Sequence, residues 1–182
     1  MALVVRKPNL GDLNEEGIPR DLAALRDYWN YGVASQVGMF LFIPRRTEIS
    51  VEEVRGLFVP AIRNGRSVNL VAELDGKIVG AITAIYDVSK TEYEFRGTRV
   101  PGDIGESVDP RIGDHGPVLS RLYAALETEL CAMGRKARAV FPIEDSKSLG
   151  VLTALGYLGK EIDHGPYKAI GLSGKGREFE IG

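Results

Sequence analysis

The segment between residues 104 and 134 constrains the fold of this chain more than any other. A short apolar run, Ile104–Val108, enters a glycine-bearing loop, and the loop opens directly into a long amphipathic helix predicted over 117–133. Its apolar residues form one row, with Leu119, Tyr123 and Met133 beside it: Val118, Leu122, Leu126 and Leu130. The first turn of such a helix leaves backbone N–H groups unpaired beside the end of a strand, with the positive end of the helix dipole behind them. The junction therefore predicts a binding site for a phosphate or pyrophosphate group.

The composition is that of an ordinary globular protein. Of the 182 residues, 44% are hydrophobic and 26% are charged, and the formal net charge is -2. Without a basic excess, we expect neither nucleic acid nor a membrane as a partner. No apolar run approaches the roughly 20 residues of a membrane-spanning helix, and the first residues lack the layout of a signal peptide. A single cysteine, Cys131, excludes an internal disulfide, and we expect a cytoplasmic protein.

The hydrophobic periodicity predicts strands and helices in the order β-α-α-β-β-β-α-β-α-β-β. The predicted elements lie at 2–6, 19–29, 50–60, 68–74, 77–88, 104–108, 117–133, 137–143, 145–155, 157–162 and 167–172. This order describes an α/β (α+β) protein, with a mixed and largely antiparallel central sheet of about six to seven strands and helices on both faces. We expect a single domain over 1–182, in which 173–182 form a polar, mobile tail.

Local signals mark several boundaries of these elements. The dipeptide Asp75-Gly76 predicts a tight hairpin turn between two strands. Ser50 and Glu53 have the spacing of a capping box, and Pro60 is expected to end or kink the helix that follows. Later helices are expected to begin at Asp145 or Ser146 and to end at Gly134 and Gly156.

Three patterns stand in a fixed order along the chain. They are RKPNLGDL near the start, VAELDGKIVGAI in the predicted hairpin, and the strand, short helix and Leu-Gly-Tyr ending at 137–157. Together they resemble the GNAT superfamily of acyl-CoA-dependent N-acyltransferases, and the resemblance covers most of 6–172. It implies that acetyl-CoA is the co-substrate and that the acetyl group passes directly to a primary amine of a small molecule or peptide.

The resemblance places the candidate site at the strand, loop and helix described above. Glu106 is expected to act as the general base, directly or through water; the alternative is a solvated or hydrogen-bonded strand carboxylate. The residues expected to contact the CoA moiety are Ser107, Val108, Arg111, Gly113, Asp114, His115, Gly116, Pro117, Val118, Asp145 and Ser148. Arg111 and His115 could supply positive charge, whereas the alternative for the two glycines is an ordinary helix-entry turn.

The chain departs from the family's pattern at two places. The family's loop reads Arg or Gln, two residues, Gly, one residue, then Gly or Ala; counted from Arg111, Asp114 replaces the first Gly and Gly116 matches the second. Asp114 would repel a pyrophosphate, and Pro117 has no N–H to offer it. Leu152 stands where many members carry a tyrosine that protonates the CoA thiolate. The alternative function is therefore a catalytically impaired GNAT-fold binding or regulatory protein with weak or no CoA affinity.

Other residues carry weaker signals. The apolar run at 39–42 lies where the resemblance implies a wall of the acceptor pocket, and a core segment or a homodimer contact is the alternative. His115 and His164 are the only histidines, and no cysteine cluster accompanies them, so we expect no metal site. Cys131 is expected to be packed in the core.

Overall fold

The computed structural model describes residues 2–35, 37, 48–65, 67–85, 104–163 and 171–182, with the backbone alone at Ile85 and Ile104. The strands of this part are β1 (Leu3–Arg6), β2 (Ser67–Leu74), β3 (Lys77–Ile85), β4 (Ile104–Val108), β5 (Ala137–Pro142), β6 (Lys160–Asp163) and β7 (Lys175–Ile181). The helices are α1 (Arg20–Ser35), α2 (Val51–Glu53, π-helical Val54–Phe58 and Val59–Arg63), α3 (Gly116–Ala132) and α4 (Ser146–Ala154). The predicted order of elements is confirmed from β1 to β6, whereas the last described strand is Lys175–Ile181, in the segment predicted as a tail. The apolar run at 39–42 and His164 lie outside the described residues.

The described strands form two antiparallel sheets, in the orders β1-β2-β3-β4 and β5-β7-β6. Strands β4 and β5 contact each other, but no ladder joins them in the described part of the chain. Helix α1 packs on β3 with its buried Tyr28 directed at β4, and α3 packs on β2 and β3. The predicted α/β class, with helices on both faces, is thus confirmed, and the sheet is divided where β4 meets β5.

Turn and capping chemistry agrees with the sequence at most boundaries. Asp75 and Gly76 have φ of 48° and 80°, as a two-residue hairpin between paired strands requires. The side chains and backbones of Ser50 and Glu53 form both hydrogen bonds of the capping box. Of the two outcomes expected at Pro60, an end or a kink, the end of helix α2 is wrong, because the helix continues to Arg63. A wider π-helical turn lies just before Pro60, and such a turn accommodates the proline ring and its missing N–H.

Helix α3 supplies the centre of the hydrophobic core. Its predicted apolar row, Val118, Leu122, Leu126 and Leu130, is buried against residues of both sheets. Gly134 follows with φ of 61°, which confirms the predicted C-terminal cap. The expectation that Cys131 is packed is wrong, because its position, one residue after Leu130, turns the side chain to the exposed face of the helix.

The C-terminal segment is a strand and not a tail. Strand β7 lies between β5 and β6, and its Phe179 and Ile181 are 1% and 0% exposed. The two apolar residues alternate with charged ones, which is the period of a strand with one buried face. The strand predicted at 167–172 is wrong in its described part, because Gly171 and Leu172 lie in a turn. No described helix is long and apolar enough to span a membrane.

Candidate active site

Glu106 lies in the middle of β4, opposite Ile82 of β3, and its side chain points to the face covered by α3 and α4. Oε1 accepts a hydrogen bond from Oγ of Ser148, with the two oxygens 3.0 Å apart. Oε2 is buried without a hydrogen-bond partner, although the residue as a whole is half-buried. The Tyr123 hydroxyl, which interacts with this carboxyl group, is also buried without a partner of regular geometry. Glu106 is therefore not a solvated strand carboxylate, whereas both the alternative of a hydrogen-bonded strand carboxylate and the role of base fit this geometry.

The surroundings of Glu106 bring the pKa of its carboxyl group close to neutral pH. Burial raises the pKa of Glu106 from its ordinary value of 4.5 to about 7. Interactions with the hydroxyls of Tyr123 and Ser148 lower this pKa, and the nearby carboxylate of Asp145 raises it. Burial and the neighbouring Glu106 raise the pKa of Tyr123 well above 10, so its phenol stays protonated and can donate. A carboxyl group with these neighbours is suited to accept a proton at neutral pH.

Asp145 and Ser148 form the N-terminus of α4 directly after β5. The Asp145 side chain is buried and accepts a hydrogen bond from the Ser148 backbone N–H, at 3.1 Å. This confirms Asp145 as the N-cap, because a cap carboxylate satisfies one of the unpaired N–H groups of the first turn. The same cap fixes Ser148 so that its hydroxyl reaches Glu106. Two residues predicted as CoA contacts thus lie beside the predicted base.

Ser107 and Val108 have side chains on opposite faces of β4. The Ser107 hydroxyl is bonded to the hydroxyl of Tyr28 in α1, with the oxygens 2.7 Å apart. Val108 is part of the hydrophobic core together with Val118, which is also buried. Neither valine side chain can make a polar contact, so any polar contact of Val108 or Val118 with a ligand would have to come from the backbone.

The loop after β4 is held to α1 by charged groups. The Arg111 side chain donates to both carboxylate oxygens of Asp109 and to Asp27, and its guanidinium lies 5.3 Å from the centre of the Tyr31 ring. Asp109 is buried, and its backbone N–H donates to the carbonyl of Val79. Sequence reasoning did not identify Asp109 or Asp27; Asp109-Pro110 is a turn signal that could have indicated the first. Arg111 is thus paired with two carboxylates, and its predicted contact with CoA stays a prediction.

The entry to α3 is built from the predicted loop residues. The Asp114 side chain accepts a hydrogen bond from the Gly116 backbone N–H, at 3.0 Å, and the helix begins at Gly116 with Pro117 in its first turn. His115 is half-buried; burial, followed by the charge of Lys147, lowers its pKa, so its charge at neutral pH is reduced. Gly113 is exposed. At this helix end one N–H that a phosphate could use is already bound by a carboxylate.

Two further positions bear on the chemistry. The sequence predicts Tyr123 only as a core residue of the long helix, and the fold places its hydroxyl beside Glu106. Leu152, at the position where the resemblance implies a tyrosine acid, is completely buried in the core. Among the described residues, no group of three or more His, Cys, Asp and Glu side chains is arranged to hold a metal ion.

Comparison with solved structures identifies the fold. No protein-family model and no curated protein sequence matches the chain. A GNAT superfamily phosphinothricin acetyltransferase from Sinorhizobium meliloti, solved with acetyl-CoA, is similar over 100% of this chain and 90% of that one, with a TM-score of 0.72 and 18% identity.

Two other acetyltransferases of known structure are similar to the chain over nearly their whole length. An N-acetyltransferase from Staphylococcus aureus has a TM-score of 0.71 and 16% identity over 100% of this chain and 98% of that one. A ribosomal-protein-alanine N-acetyltransferase from Brucella melitensis has a TM-score of 0.69 and 18% identity over 97% and 98% of the two chains. The chain therefore has the fold of the GNAT superfamily of acyl-CoA-dependent N-acyltransferases.

Proposed function

We propose that the chain is an N-acetyltransferase that transfers the acetyl group of acetyl-CoA directly to a primary amine of a small molecule or a peptide. The observation that carries this proposal is the buried carboxyl group of Glu106 in a chain with a GNAT fold. Glu106 lies on β4, beside the place where β4 meets β5. Acetyl-CoA supplies the activated acyl group as co-substrate. The protein supplies position, charge and a proton acceptor.

Glu106 is the proposed general base. An amine attacks a thioester carbonyl only in its neutral form, so a proton must leave its nitrogen before or during the attack. With a pKa of about 7, Glu106 is ionised in roughly half of the molecules at neutral pH and can accept that proton directly or through water. Leu152 has no proton to give, so α4 offers no acid at this position for the departing thiolate.

The loop at the start of α3 is less suited to bind a pyrophosphate than the Glu106 carboxyl group is to accept a proton. The Gly116 N–H is bound by Asp114, Pro117 has no N–H, and Arg111 is already paired with two carboxylates. A diphosphate would have to displace the Asp114 side chain and tolerate its charge. We therefore expect weak binding of acetyl-CoA, and the contacts predicted for this loop, for Asp145 and for Ser148 stay proposals.

Measurements of binding and of turnover test the proposed function. Titration calorimetry and thermal unfolding with millimolar acetyl-CoA should detect binding, since a ligand of the folded state raises its stability. A panel of small amines and peptides, screened for release of free thiol, should then identify an acceptor. Replacing Glu106 by Gln should lower kcat at least about a hundredfold, whereas Glu161→Gln, at the exposed end of an ion pair with Lys175, should not. Absence of any stabilisation by acetyl-CoA would contradict the proposal.

A second candidate is a GNAT-fold binding or regulatory protein with impaired catalysis. The hydrogen bond between Asp114 and the Gly116 N–H favours it, because this bond occupies a group that a CoA-binding loop would present to phosphate. The candidate predicts no stabilisation by acetyl-CoA and no thiol release with any amine. A folded Asp114→Gly variant that gains CoA binding would then identify the loop as the reason.

We further propose a cytoplasmic location and a reaction that needs no metal ion. The single cysteine, Cys131, is compatible with a reducing compartment. Activity that persists after treatment with a chelator would support the second point. Gel filtration with light scattering would decide whether the protein is a homodimer.

A further inference from the structure

Two buried polar atoms beside the proposed base lack hydrogen-bond partners. They are Oε2 of Glu106 and the hydroxyl oxygen of Tyr123, which is completely buried on α3. The two groups are chemically complementary, since a carboxylate oxygen accepts and a phenol donates. The two groups also lie close enough to interact. As a result, the Tyr123 hydroxyl lowers the pKa of Glu106, and the Glu106 carboxylate raises the pKa of Tyr123.

Buried polar atoms are rarely left without a hydrogen-bond partner, so each such atom in a folded protein needs an explanation. The carboxyl group has one oxygen already bound to the Ser148 hydroxyl at 3.0 Å. Ionisation would place negative charge on both oxygens and strengthen the attraction of each for a donor. The Ser148 hydroxyl donates to Oε1, and the Tyr123 hydroxyl is the donor available to Oε2.

We propose that Tyr123 and Ser148 are positioning residues that orient the carboxylate of Glu106 through one hydrogen bond to each oxygen, the Tyr123 bond closing when the carboxyl group ionises. The kinetic consequence of this arrangement rests on the proposed function, whereas the arrangement itself does not. The two residues come from α3 and α4, so the core packing of both helices sets the direction in which the base points. Neither residue needs to touch a substrate.

The charged and titratable surroundings of this cluster come from few elements. Among the described residues, α4 contributes Asp145, whose charge raises the pKa of Glu106, and α3 contributes Tyr123. Tyr157, after α4, acts on Tyr123 and not directly on Glu106. Strand β3 places the apolar Ile82 beside Glu106. Tyr123 and Ser148 are thus the groups that favour the ionised carboxylate, and Asp145 and burial oppose it.

The test measures the titration of Glu106 directly. In protein carrying 13C-labelled glutamate, the Glu106 carboxyl resonance is assigned by its loss in Glu106→Gln, and its pKa is read from the chemical shift. Tyr123→Phe and Ser148→Ala should each raise this pKa by about one pH unit, since each removes a hydrogen bond to the charged form. The acidic limb of kcat/KM should move by the same amount, lowering kcat/KM about fivefold near pH 7 and little near pH 9.

Matched controls separate positioning from a general loss of packing. Tyr28→Phe removes an equally buried hydroxyl, bonded to Ser107 on the opposite face of β4. Ser120→Ala removes a half-buried hydroxyl from α3. Both controls should leave the titration of Glu106 unchanged.

An unchanged Glu106 titration in folded Tyr123→Phe and Ser148→Ala would overturn the inference. A shift of the same size in Tyr28→Phe would overturn it as well. If the wild-type protein transfers no acyl group, the titration still decides whether the two residues position Glu106. Failure of the proposed function is therefore distinguishable from failure of this inference.

Discussion

At the scale of single residues, the burial of Glu106 couples its chemistry to the stability of the protein. In the unfolded chain its carboxyl group ionises near 4.5, whereas in the folded protein it ionises near 7. Between these values the folded state binds more protons than the unfolded state, so the free energy of unfolding falls as the pH rises. The contribution of Glu106 is neutral below about pH 4.5 and is fully unfavourable above about pH 7.

Glu106→Gln should therefore stabilise the protein at alkaline pH. Because the substitution removes the ionisable group and keeps its shape, we expect a gain of up to about 3 kcal/mol at pH 8 and almost none at pH 4. Urea denaturation of the wild type and the variant at the two values measures it. Glu161→Gln is the control, and an equal gain from both variants at pH 8 would show that burial of Glu106 is not the cause.

Gly159 is a second single position with a calculable effect. A Cβ there would overlap the side chain of Arg177 and would lie 2.6 Å from a ring carbon of Phe179. Gly159→Ala should therefore destabilise the protein by about 1–3 kcal/mol. Gly150 is exposed inside α4, and a Cβ added there would meet nothing within 4 Å, so Gly150→Ala should stabilise by about 0.5–1 kcal/mol. If chemical denaturation showed that both variants change the free energy of unfolding in the same direction, the packing described for Gly159 and Gly150 would be contradicted.

At the scale of elements, the N-terminus of α3 is the proposed binding site for the diphosphate of CoA. The helix dipole favours an anion at this end, but the Asp114 carboxylate already occupies the Gly116 N–H. The same carboxylate stabilises the first turn in the absence of a ligand. If CoA binds as proposed, helix stability and CoA affinity therefore compete at Asp114.

Asp114→Asn should tighten the binding of acetyl-CoA. The amide oxygen can still accept from the Gly116 N–H, but the negative charge is gone, so we expect a Kd roughly two- to fivefold lower. Calorimetry at two salt concentrations measures the change, which should be smaller at the higher salt. Asp12→Asn, in the exposed loop before α1, serves as the charge-matched control. Weaker binding by Asp114→Asn would mean that the carboxylate does not oppose the ligand.

At the scale of the whole molecule, one hydrophobic core joins the two sheets. The core contains Leu70 of β2, Leu122 of α3, Ala139 of β5 and Phe179 of β7. Helix α3 thus bridges the division at β4 and β5, beside which Glu106 lies. The second sheet depends on β7, because this strand is paired on both sides and the rings of Phe179 and Phe141 are 6.5 Å apart.

Phe179→Ala should destabilise the whole protein by about 3–5 kcal/mol, as expected for removal of a buried aromatic ring. Glu180→Ala, at the neighbouring exposed position, should leave the free energy of unfolding nearly unchanged. Denaturation in urea, followed by circular dichroism, distinguishes a central strand from a polar tail. Equal stability of the two variants would favour the tail.

Local signals predicted much of this architecture. The Asp75-Gly76 turn, the capping box at Ser50 and the apolar row of α3 depend on neighbours within a few residues, and each is found as predicted. Strand β7 was missed because its charged residues conceal two buried apolar positions. Those positions become recognisable as core only once β5 and β6 lie on either side.

Periodicity, capping and turn residues act over short distances, so they were enough to predict the order of elements from β1 to β6 and the first residues of the helices. The choice of Glu106 as the candidate base came from the family resemblance. The surroundings of its carboxyl group depend on the tertiary fold. Tyr123, Asp145 and Ser148 are distant from Glu106 in sequence, and they meet it because α3 and α4 pack on the same face of β4. Burial and electrostatic interaction depend on distance in space, so the pKa of Glu106 follows from the fold.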